Sequence, residues 1–181
     1  KAIGQYYNTN QPDQLFTFLV PNIVGETLME WDGKYYRAFK KIDGIALDVL
    51  TTAVQAKQAA HQFGQFTASL IEFPIASLKL TIQQFHDLAL RYHQFEQALK
   101  HGDANRMTEA KDAILFLQSH HAYVKQWLHF TGHQDAHLRV THHDTKISNV
   151  LFKDDAAICV IDLDTTMPGY FISDVGDMCR T

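Results

Sequence analysis

Hydrophobic and polar positions alternate along the first part of the chain, and this period of two predicts β-strands. Residues 15–20 are β-branched and aromatic, and a Pro-Asn pair ends this first strand. Two more strands are expected over 26–31 and 34–39, because Asp-Gly at 32–33 is the strongest short signal for a β-hairpin. The chain therefore begins with a small β-rich region that ends near Gly44.

From Asp48 the hydrophobic period changes to about 3.6, which predicts helices. Asp48 is expected to be the N-cap of the first one, since its carboxylate can accept free amides of the first turn. Gly64 lies within this helix at a cost of roughly 1 kcal/mol relative to Ala, which close packing against a neighbouring helix would explain. The predicted inward stripe consists of Val49, Ala53, Ala56, Ala60, Phe63, Thr67 and Leu70.

Two further helices are predicted before the last polar stretch. The second covers residues 85–99 and starts either at a capping box formed by Thr81 and Gln84 or at Asp87. The third runs from about 105 to 130 and is stopped by a glycine at 132. Its predicted inward residues are Met107, Ala110, Ile114, Leu117, Tyr123, Val124, Trp127 and Leu128.

Composition narrows the class of protein. The 181 residues are 46% hydrophobic and 20% charged, with a net charge of -4 and no basic patch for nucleic acid. No apolar run is long enough to span a membrane, and Cys159 and Cys179 show no metal-type spacing, which favours a reducing, cytoplasmic location. Because the chain lacks an initiator Met and ends in a helix-like stretch, we expect part of a longer protein.

Polar residues are densest just before a predicted β-hairpin. The hairpin joins strands 150–152 and 157–161 through a Lys-Asp-Asp turn. If Phe152 pairs near Ala157 or its neighbour Ile158, Asn149 comes to lie beside Asp162, because paired strands are only ~4.8 Å apart. An amide oxygen and a carboxylate at one spot suit Mg2+, which prefers hard oxygen ligands.

Two charged residues near Asn149 add further groups that could take part in a reaction. The Asp144 carboxylate lies across the loop from Asn149 and could accept a proton from an attacking hydroxyl. The Lys146 ammonium could meet a phosphate. A base, a cation and metal ligands within about twenty residues are what phosphoryl transfer requires, because that reaction depends on positioning and charge neutralisation.

Residues 142–149, His-His-Asp-Thr-Lys-Ile-Ser-Asn, resemble the kinase catalytic loop H-x-D-x-K-x-x-N, and Ile161-Asp162 resembles the metal-binding Asp that follows it. Protein kinases place Phe-Gly after that Asp, whereas this chain has Leu163-Asp164. This difference resembles the aminoglycoside phosphotransferase and choline kinase group, which are small-molecule kinases on the same fold.

Segments 141–146, 159–169 and 174–177 resemble the bacterial N-acetylhexosamine 1-kinases more closely, as does 85–92. This resemblance implies transfer of the ATP γ-phosphate, with Mg2+, to the anomeric hydroxyl of an N-acetylhexosamine or related sugar. Another small-molecule kinase of the same fold, acting on choline, an aminoglycoside or homoserine, stays open. So does a non-catalytic nucleotide-binding pseudokinase. If the protein is an enzyme of either kind, its binding partner is a small molecule, either a sugar or an amino alcohol.

The resemblance also implies roles for individual residues. Asp144 would be the catalytic base, and Lys146 would contact the transferred phosphate. Asn149 and Asp162 would bind Mg2+, with Asp164 a second carboxylate near the metal or the sugar. Phe39, Lys40, Lys41 and Ile42 would lie near the hinge that holds the adenine, and His142, Asp174 and Asp177 would support the catalytic loop.

We therefore predict an α+β, two-lobed protein kinase-like fold that is incomplete at both ends. Residues 1–43 would form a partial β-rich N-lobe with a hinge near 39–43. Residues 44–181 would form a partial helical C-lobe with the catalytic loop at 142–149 and the metal-binding segment at 158–164. No Gly-rich phosphate loop and no strand lysine is recognisable in the sequence.

A zinc site is the weaker alternative for three histidines. His129, His133 and His137 have the spacing H-x3-H-x3-H, which would align metal ligands on a helix. Gly132 interrupts that helix, and the helix-borne Glu of the H-E-x-x-H motif is missing. We expect ordinary helix-end and loop histidines.

Overall fold

The structure is a computed structural model that describes Ile3 and residues 15–180. The chain divides into two units, one made of residues 1–81 with 138–181 and the other of residues 82–137. The part of the predicted N-lobe at positions 1, 2 and 4–14 lies outside the described residues. The assignment of 1–43 and 44–181 to two lobes stays a prediction.

The first unit begins with short antiparallel strands. Strand β1 (Leu19–Val20) pairs with β4 (Ala38–Phe39), and β2 (Met29–Trp31) pairs with β3 (Lys34–Tyr36). The turn at 32–33 has positive φ angles of 51° and 67°, as a two-residue hairpin turn of mirror-image type requires. The predicted hairpin is confirmed, although its strands are shorter than predicted.

Helix α1 (Ala53–Ser69) begins later than predicted. Its N-cap is Thr52, whose hydroxyl accepts a hydrogen bond from the Gln55 amide at 3.2 Å, while the Gln55 side chain accepts one from the Thr51 amide at 2.9 Å. This reciprocal capping satisfies two amides, which explains why Asp48 is not the cap. The buried stripe is Ala59, Gln62, Phe63, Phe66, Thr67 and Leu70.

The predicted packing around α1 was wrong at its N-terminal end. Val49 is 72% exposed, and Ala53, Ala56 and Ala60 are exposed as well. No described atom lies within 4 Å of a Cβ placed on Gly64, so close helix packing does not explain this glycine.

The core of this unit lies between α1 and a three-stranded antiparallel sheet. The strand order is β5 (Ile45–Ala46), β7 (Val150–Lys153) and β8 (Ala156–Val160). Phe16 joins this sheet through a parallel bridge to Val160. The core residues are Ile3, Phe16, Ala59, Phe63, Phe66, Leu70, Phe73, Val140, Ile147, Val150, Phe152 and Val160. Burial of these large apolar side chains fixes the sheet that carries the polar loop.

Three further elements surround the polar loop. Strand β6 (Arg139–Thr141) leads into the loop and pairs antiparallel with β9 (Met167–Gly169). Helix α6 (Phe171–Arg180) follows β9 directly and also packs against β6. The loop is therefore held between a strand pair and a helix of the same unit.

The second unit is helical. Its helices are α2 (Leu88–His101), α3 (Ala104–Glu109), α4 (Lys111–Ser119) and α5 (Ala122–Thr131). Asp87 caps α2 by accepting a hydrogen bond from the Leu90 amide at 3.0 Å, which decides between the two predicted starts. Within the described ranges, no helix is both long and apolar enough to cross a membrane.

The prediction of a single helix over 105–130 was wrong, because the structure has three helices there. At the second break, the Ser119 hydroxyl and a ring nitrogen of His120 both lie 2.7 Å from the Phe116 carbonyl oxygen. Side chains that capture a backbone carbonyl compete with helix hydrogen bonds. Of the predicted inward positions Val124 is buried, whereas Leu117, Tyr123 and Leu128 are exposed. Gly132 caps the last helix, as predicted.

Candidate active site

The β7–β8 hairpin brings the predicted metal-binding residues together. Phe152 pairs with Ala157 and Val150 with Val160. The Ile161 amide donates to the Asn149 carbonyl oxygen at 2.9 Å, so the residue after Ile161, Asp162, begins directly beside Asn149. The register expected from the sequence is confirmed.

The Asp144 carboxylate is the centre of the polar loop. Its Oδ2 accepts hydrogen bonds from Lys146 Nζ at 2.7 Å and from Asn149 Nδ2 at 2.9 Å. Burial raises the pKa of Asp144, but these two hydrogen bonds and the Lys146 charge lower it by more, so the net shift is downward. Asp144 is therefore a carboxylate at neutral pH. The same pairing, above all the hydrogen bond, raises the pKa of Lys146.

His142 is fully buried and orders the loop from inside. The Asp144 amide donates to His142 Nδ1 at 3.3 Å, so Nε2 carries the ring proton and donates it to the Ile161 carbonyl oxygen at 2.9 Å. The ring also lies edge-on to Phe63 and Phe66, at centroid distances of 5.5 and 5.8 Å. His142 thus links the start of the loop to the hairpin and to the core of α1.

Two carboxylates of α6 hold the loop backbone. Asp174, 1% exposed, accepts hydrogen bonds from the His142 and His143 amides, each at 2.8 Å. Asp177 accepts one from the Thr145 amide at 2.7 Å. Hydrogen bonds to a charged group are about twice as strong as neutral ones, so α6 fixes the backbone on both sides of Asp144.

His143 is a structural residue of the loop that the sequence analysis missed. It is buried and has a positive φ of 67°. The Thr141 hydroxyl donates to the Met167 carbonyl oxygen at 3.0 Å, so its 2.7 Å contact with His143 Nε2 is a hydrogen bond donated by the ring. A Cβ on Gly169 would collide with this ring and this hydroxyl, so only glycine fits there.

Asn149 and Asp162 present oxygen atoms suited to a hard cation. Both hydrogen bonds of Asn149 Nδ2 go to Asp144, at 2.8 Å to its carbonyl oxygen and 2.9 Å to Oδ2, and no described residue donates to Asn149 Oδ1. Asp162 is exposed, and no described residue donates to its carboxylate. An amide oxygen and a free carboxylate fit Mg2+, which takes one or two carboxylates and completes its shell with phosphates and water.

Asp162 has a left-handed backbone, with φ 60° and ψ 57°, and precedes a 3-10 turn over Leu163–Thr165. This conformation is uncommon for a residue with a side chain and is tolerated best by Asn and Asp among them. In the part of the chain that the structure describes, no group of three or more His, Cys, Asp or Glu side chains could hold a metal by itself.

Asp164 lies in an ion pair with Arg37, a residue that the sequence analysis did not single out. Arg37 lies between β3 and β4, and its guanidinium donates to Asp164 Oδ2. The hydrogen bond to Asp164 is the main reason why the pKa of Arg37 is raised above its usual value, and the charges of Asp164 and Asp162 add to it. No local signal could have found this pair, because 127 positions separate its members.

The residues predicted to hold adenine begin within β4. Phe39 pairs with Leu19, and the Lys40 amide donates to the Phe18 carbonyl oxygen at 3.3 Å. The Ile42 carbonyl oxygen accepts from the Gly44 amide at 3.1 Å. Lys41 is exposed. The Arg37 guanidinium lies over the Phe39 ring at 5.1 Å, which connects this segment to Asp164.

The chain belongs to the phosphotransferase enzyme family, whose model matches residues 9–181. The family that the sequence predicts, a family of phosphotransferases, is thereby confirmed. The fold is similar to that of the aminoglycoside phosphotransferase from Alicyclobacillus acidocaldarius subsp. acidocaldarius DSM 446, with a TM-score of 0.65 and 15% sequence identity. The match covers 99% of this chain and 54% of that structure, so the chain spans about half the length of the protein it resembles. The predicted kinase-like fold of helices and strands is confirmed at this level, and its division into two lobes stays a prediction.

Proposed function

We propose that this chain carries the base and the metal-binding half of a small-molecule kinase that uses ATP and Mg2+. The observation that supports it best is the Asp144 carboxylate, held by Lys146 and Asn149 in a loop whose amides are bound by Asp174 and Asp177. A loop fixed in this way keeps a charged oxygen in one position, which is the main requirement of phosphoryl transfer.

Asp144 would receive the proton of the acceptor hydroxyl. Its lowered pKa makes it a weak base in water. A weak base is sufficient here, because in a loose transition state the attacking oxygen bonds little to phosphorus until late and loses its proton late. The carboxylate would therefore first orient the hydroxyl by accepting its hydrogen bond, and the proton would move to Oδ as the new O–P bond forms.

Lys146 would pair with the transferred phosphate. Its side chain is 41% exposed although its ammonium contacts Asp144 at 2.7 Å, so an incoming phosphate oxygen can approach it without displacing the carboxylate. Asn149 Oδ1 and Asp162 would hold Mg2+, which when bound neutralises the charge of the phosphates. Asp164, as the second carboxylate of this segment, would stay near the metal or the acceptor.

The nucleotide base would bind along Phe39, Lys40, Lys41 and Ile42. These residues begin in β4, which directly follows Arg37, and Arg37 bonds to the segment after Asp162. The adenine end and the metal end of a nucleotide would therefore be served by neighbouring parts of the same unit.

The acceptor is proposed to be the anomeric hydroxyl of an N-acetylhexosamine. The resemblance of residues 141–146 and 159–169 to the N-acetylhexosamine 1-kinases supports this choice. A panel containing N-acetylglucosamine, N-acetylgalactosamine, choline, homoserine and kanamycin, with labelled ATP, tests it directly. Labelled product from an N-acetylhexosamine is expected, and phosphorylation of kanamycin alone would replace the sugar by an aminoglycoside.

Substitution of Asp144 tests the reaction itself. We expect Asp144→Asn to lower kcat by about 10²- to 10⁴-fold, the usual contribution of a positioned base, with the melting temperature little changed. Asp154→Asn is the matched control, because Asp154 is an exposed residue in the hairpin turn whose positive φ of 55° also suits Asn. Near-normal turnover of Asp144→Asn would disprove the proposed role, and Mg2+-dependent ATP binding without turnover of any acceptor would favour a pseudokinase.

A further inference from the structure

The ion pair between Arg37 and Asp164 joins two parts of the chain for which different functions are proposed. Arg37 lies next to β4, where the proposed adenine-binding residues begin, and Asp164 lies two residues after the proposed metal ligand Asp162. The guanidinium also lies over the Phe39 ring at 5.1 Å, so its position is fixed from two sides. We therefore expect Arg37 to have a more specific role than an arginine whose side chain is not held by other residues.

Stability of the fold does not account for this pair. The two side chains are 44% and 51% exposed. Ion pairs at such exposure contribute little to folding, because water screens the charges. The larger consequence is local and concerns the short segment that contains Asp164.

That segment needs support, because it begins with a left-handed residue. Asp162 has φ 60°, a backbone conformation that residues with a Cβ adopt less readily than the right-handed form. On one side the hairpin holds it, through the bond from the Ile161 amide to Asn149. On the other side the Thr165 hydroxyl donates to the His142 carbonyl oxygen at 2.7 Å. Between these two bonds, Arg37 contacts Asp164 and holds the exposed side of the segment.

The pair also controls which carboxylate the guanidinium neutralises. The charges of both Asp164 and Asp162 act on Arg37, so both lie within its electrostatic range. The hydrogen bond goes to Asp164, and no described donor reaches Asp162. Without Asp164, the nearest acidic partner of the guanidinium would be Asp162, and a cation bound there would compete with a metal ion.

We propose that Arg37 is a positioning residue for metal binding: by engaging Asp164 it holds the turn at Asp162 and leaves the Asp162 carboxylate open to the metal of a bound nucleotide. Asp164 is then the anchor of this segment, and Asp162 with Asn149 supplies the metal ligands. This inference rests on the proposed function.

Calorimetric titration with ATP, in the presence of Mg2+ and in the presence of EDTA, tests the inference. We expect Arg37→Ala and Asp164→Ala each to weaken ATP binding about tenfold with Mg2+ and to leave binding in EDTA unchanged. A tenfold change corresponds to about 1.4 kcal/mol. The double variant is expected to bind no more weakly than the weaker single variant, because the two residues act as one unit. Arg37→Lys should recover part of the loss.

Arg106→Ala is the matched control, since Arg106 is an exposed arginine of α3 outside this unit. Unchanged Mg2+-dependent binding in Arg37→Ala would overturn the inference. Tighter binding would overturn it as well, because the pair would then oppose the metal. Equal losses with Mg2+ and with EDTA would assign Arg37 to the nucleotide instead. If the parent protein itself binds no ATP with Mg2+, the proposed function fails together with the inference, so the two failures are distinguishable.

Discussion

The Asp144 carboxylate gains its properties from two neighbours that are close in sequence. Lys146 and Asn149 donate to the same oxygen, Oδ2. Oδ1 receives neither of these bonds, so it is the oxygen that can accept a substrate hydroxyl. Because the net effect lowers the pKa of Asp144, the charged form is stabilised by folding. This stabilisation is complete at neutral pH and is lost as the pH falls through the lowered pKa, below the usual value of 3.8.

Replacement of Lys146 is predicted to raise the pKa of Asp144. In Lys146→Met the hydrogen bond and the positive charge are lost while burial remains, and burial alone raises the pKa of this carboxyl. Carboxyl carbon chemical shifts, followed from pH 2 to pH 7, measure the change. The pH at which kcat/KM falls on the acidic side should rise together with this pKa.

Lys153→Met provides the control for this titration. Lys153 is an exposed lysine at the end of β7, and its ammonium lies 3.7 Å from Asp43 Oδ2 rather than at Asp144. We expect the Asp144 titration to be unchanged in Lys153→Met. An equal pKa of Asp144 in the parent protein and in Lys146→Met would contradict the hydrogen-bonded pair.

Two glycines of the first unit are predicted to respond in opposite ways to the same change. Gly64→Ala should raise the free energy of unfolding by about 0.5–1 kcal/mol, because alanine favours the helix and no described atom crowds the new methyl group. Gly169→Ala should lower it, because the methyl group would overlap the His143 ring and the Thr141 hydroxyl. Overpacking of this kind typically costs 1–3 kcal/mol.

Urea denaturation of both variants measures these changes, with each glycine serving as the control for the other. A destabilised Gly64→Ala would indicate a packing partner of α1 that lies outside the described residues. A neutral Gly169→Ala would show that β9 shifts easily away from the loop, and the loop geometry around His143 would then be less rigid than inferred.

The same elements show why some of the fold could be predicted and some could not. The pairing of β7 with β8 follows from local rules, since two short apolar segments around a two-residue turn leave few ways to pair. The register shift between Leu151 and Phe152 has no such local signal. The breaks within 105–130 were missed because the apolar period continues through them. Only the Ser119-His120 pair, whose side chains compete for the Phe116 carbonyl, signals the second break.

The contacts of the candidate site also differ in how far the sequence could predict them. The bonds of Asp144 join residues within five positions of one another, so loop spacing suffices to predict them. The contacts of Asp174 with the loop amides span about thirty positions, and the resemblance to known kinases suggested them. The bond between Arg37 and Asp164 depends on how distant segments meet, which no local pattern encodes.

At the scale of the whole molecule, the proposed metal ligands are too few to bind a cation alone. Asn149 Oδ1 and the Asp162 carboxylate offer at most three oxygen atoms, and no larger cluster of metal-binding side chains occurs among the described residues. Mg2+ loses its water reluctantly and usually needs substrate phosphates to complete its shell. We therefore expect metal binding to be coupled to nucleotide binding.

Calorimetry is predicted to show no Mg2+ binding to the nucleotide-free protein at millimolar metal and clear binding once ATP is present. By linkage, Mg2+ should increase the affinity for ATP by the same factor by which ATP increases the affinity for Mg2+. Asp162→Asn should remove most of this coupling, because it replaces the charged ligand by a neutral one, while Asp154→Asn leaves it intact. Submillimolar Mg2+ binding without ATP would contradict the two-ligand site and would require further ligands from parts of the chain that the structure does not describe.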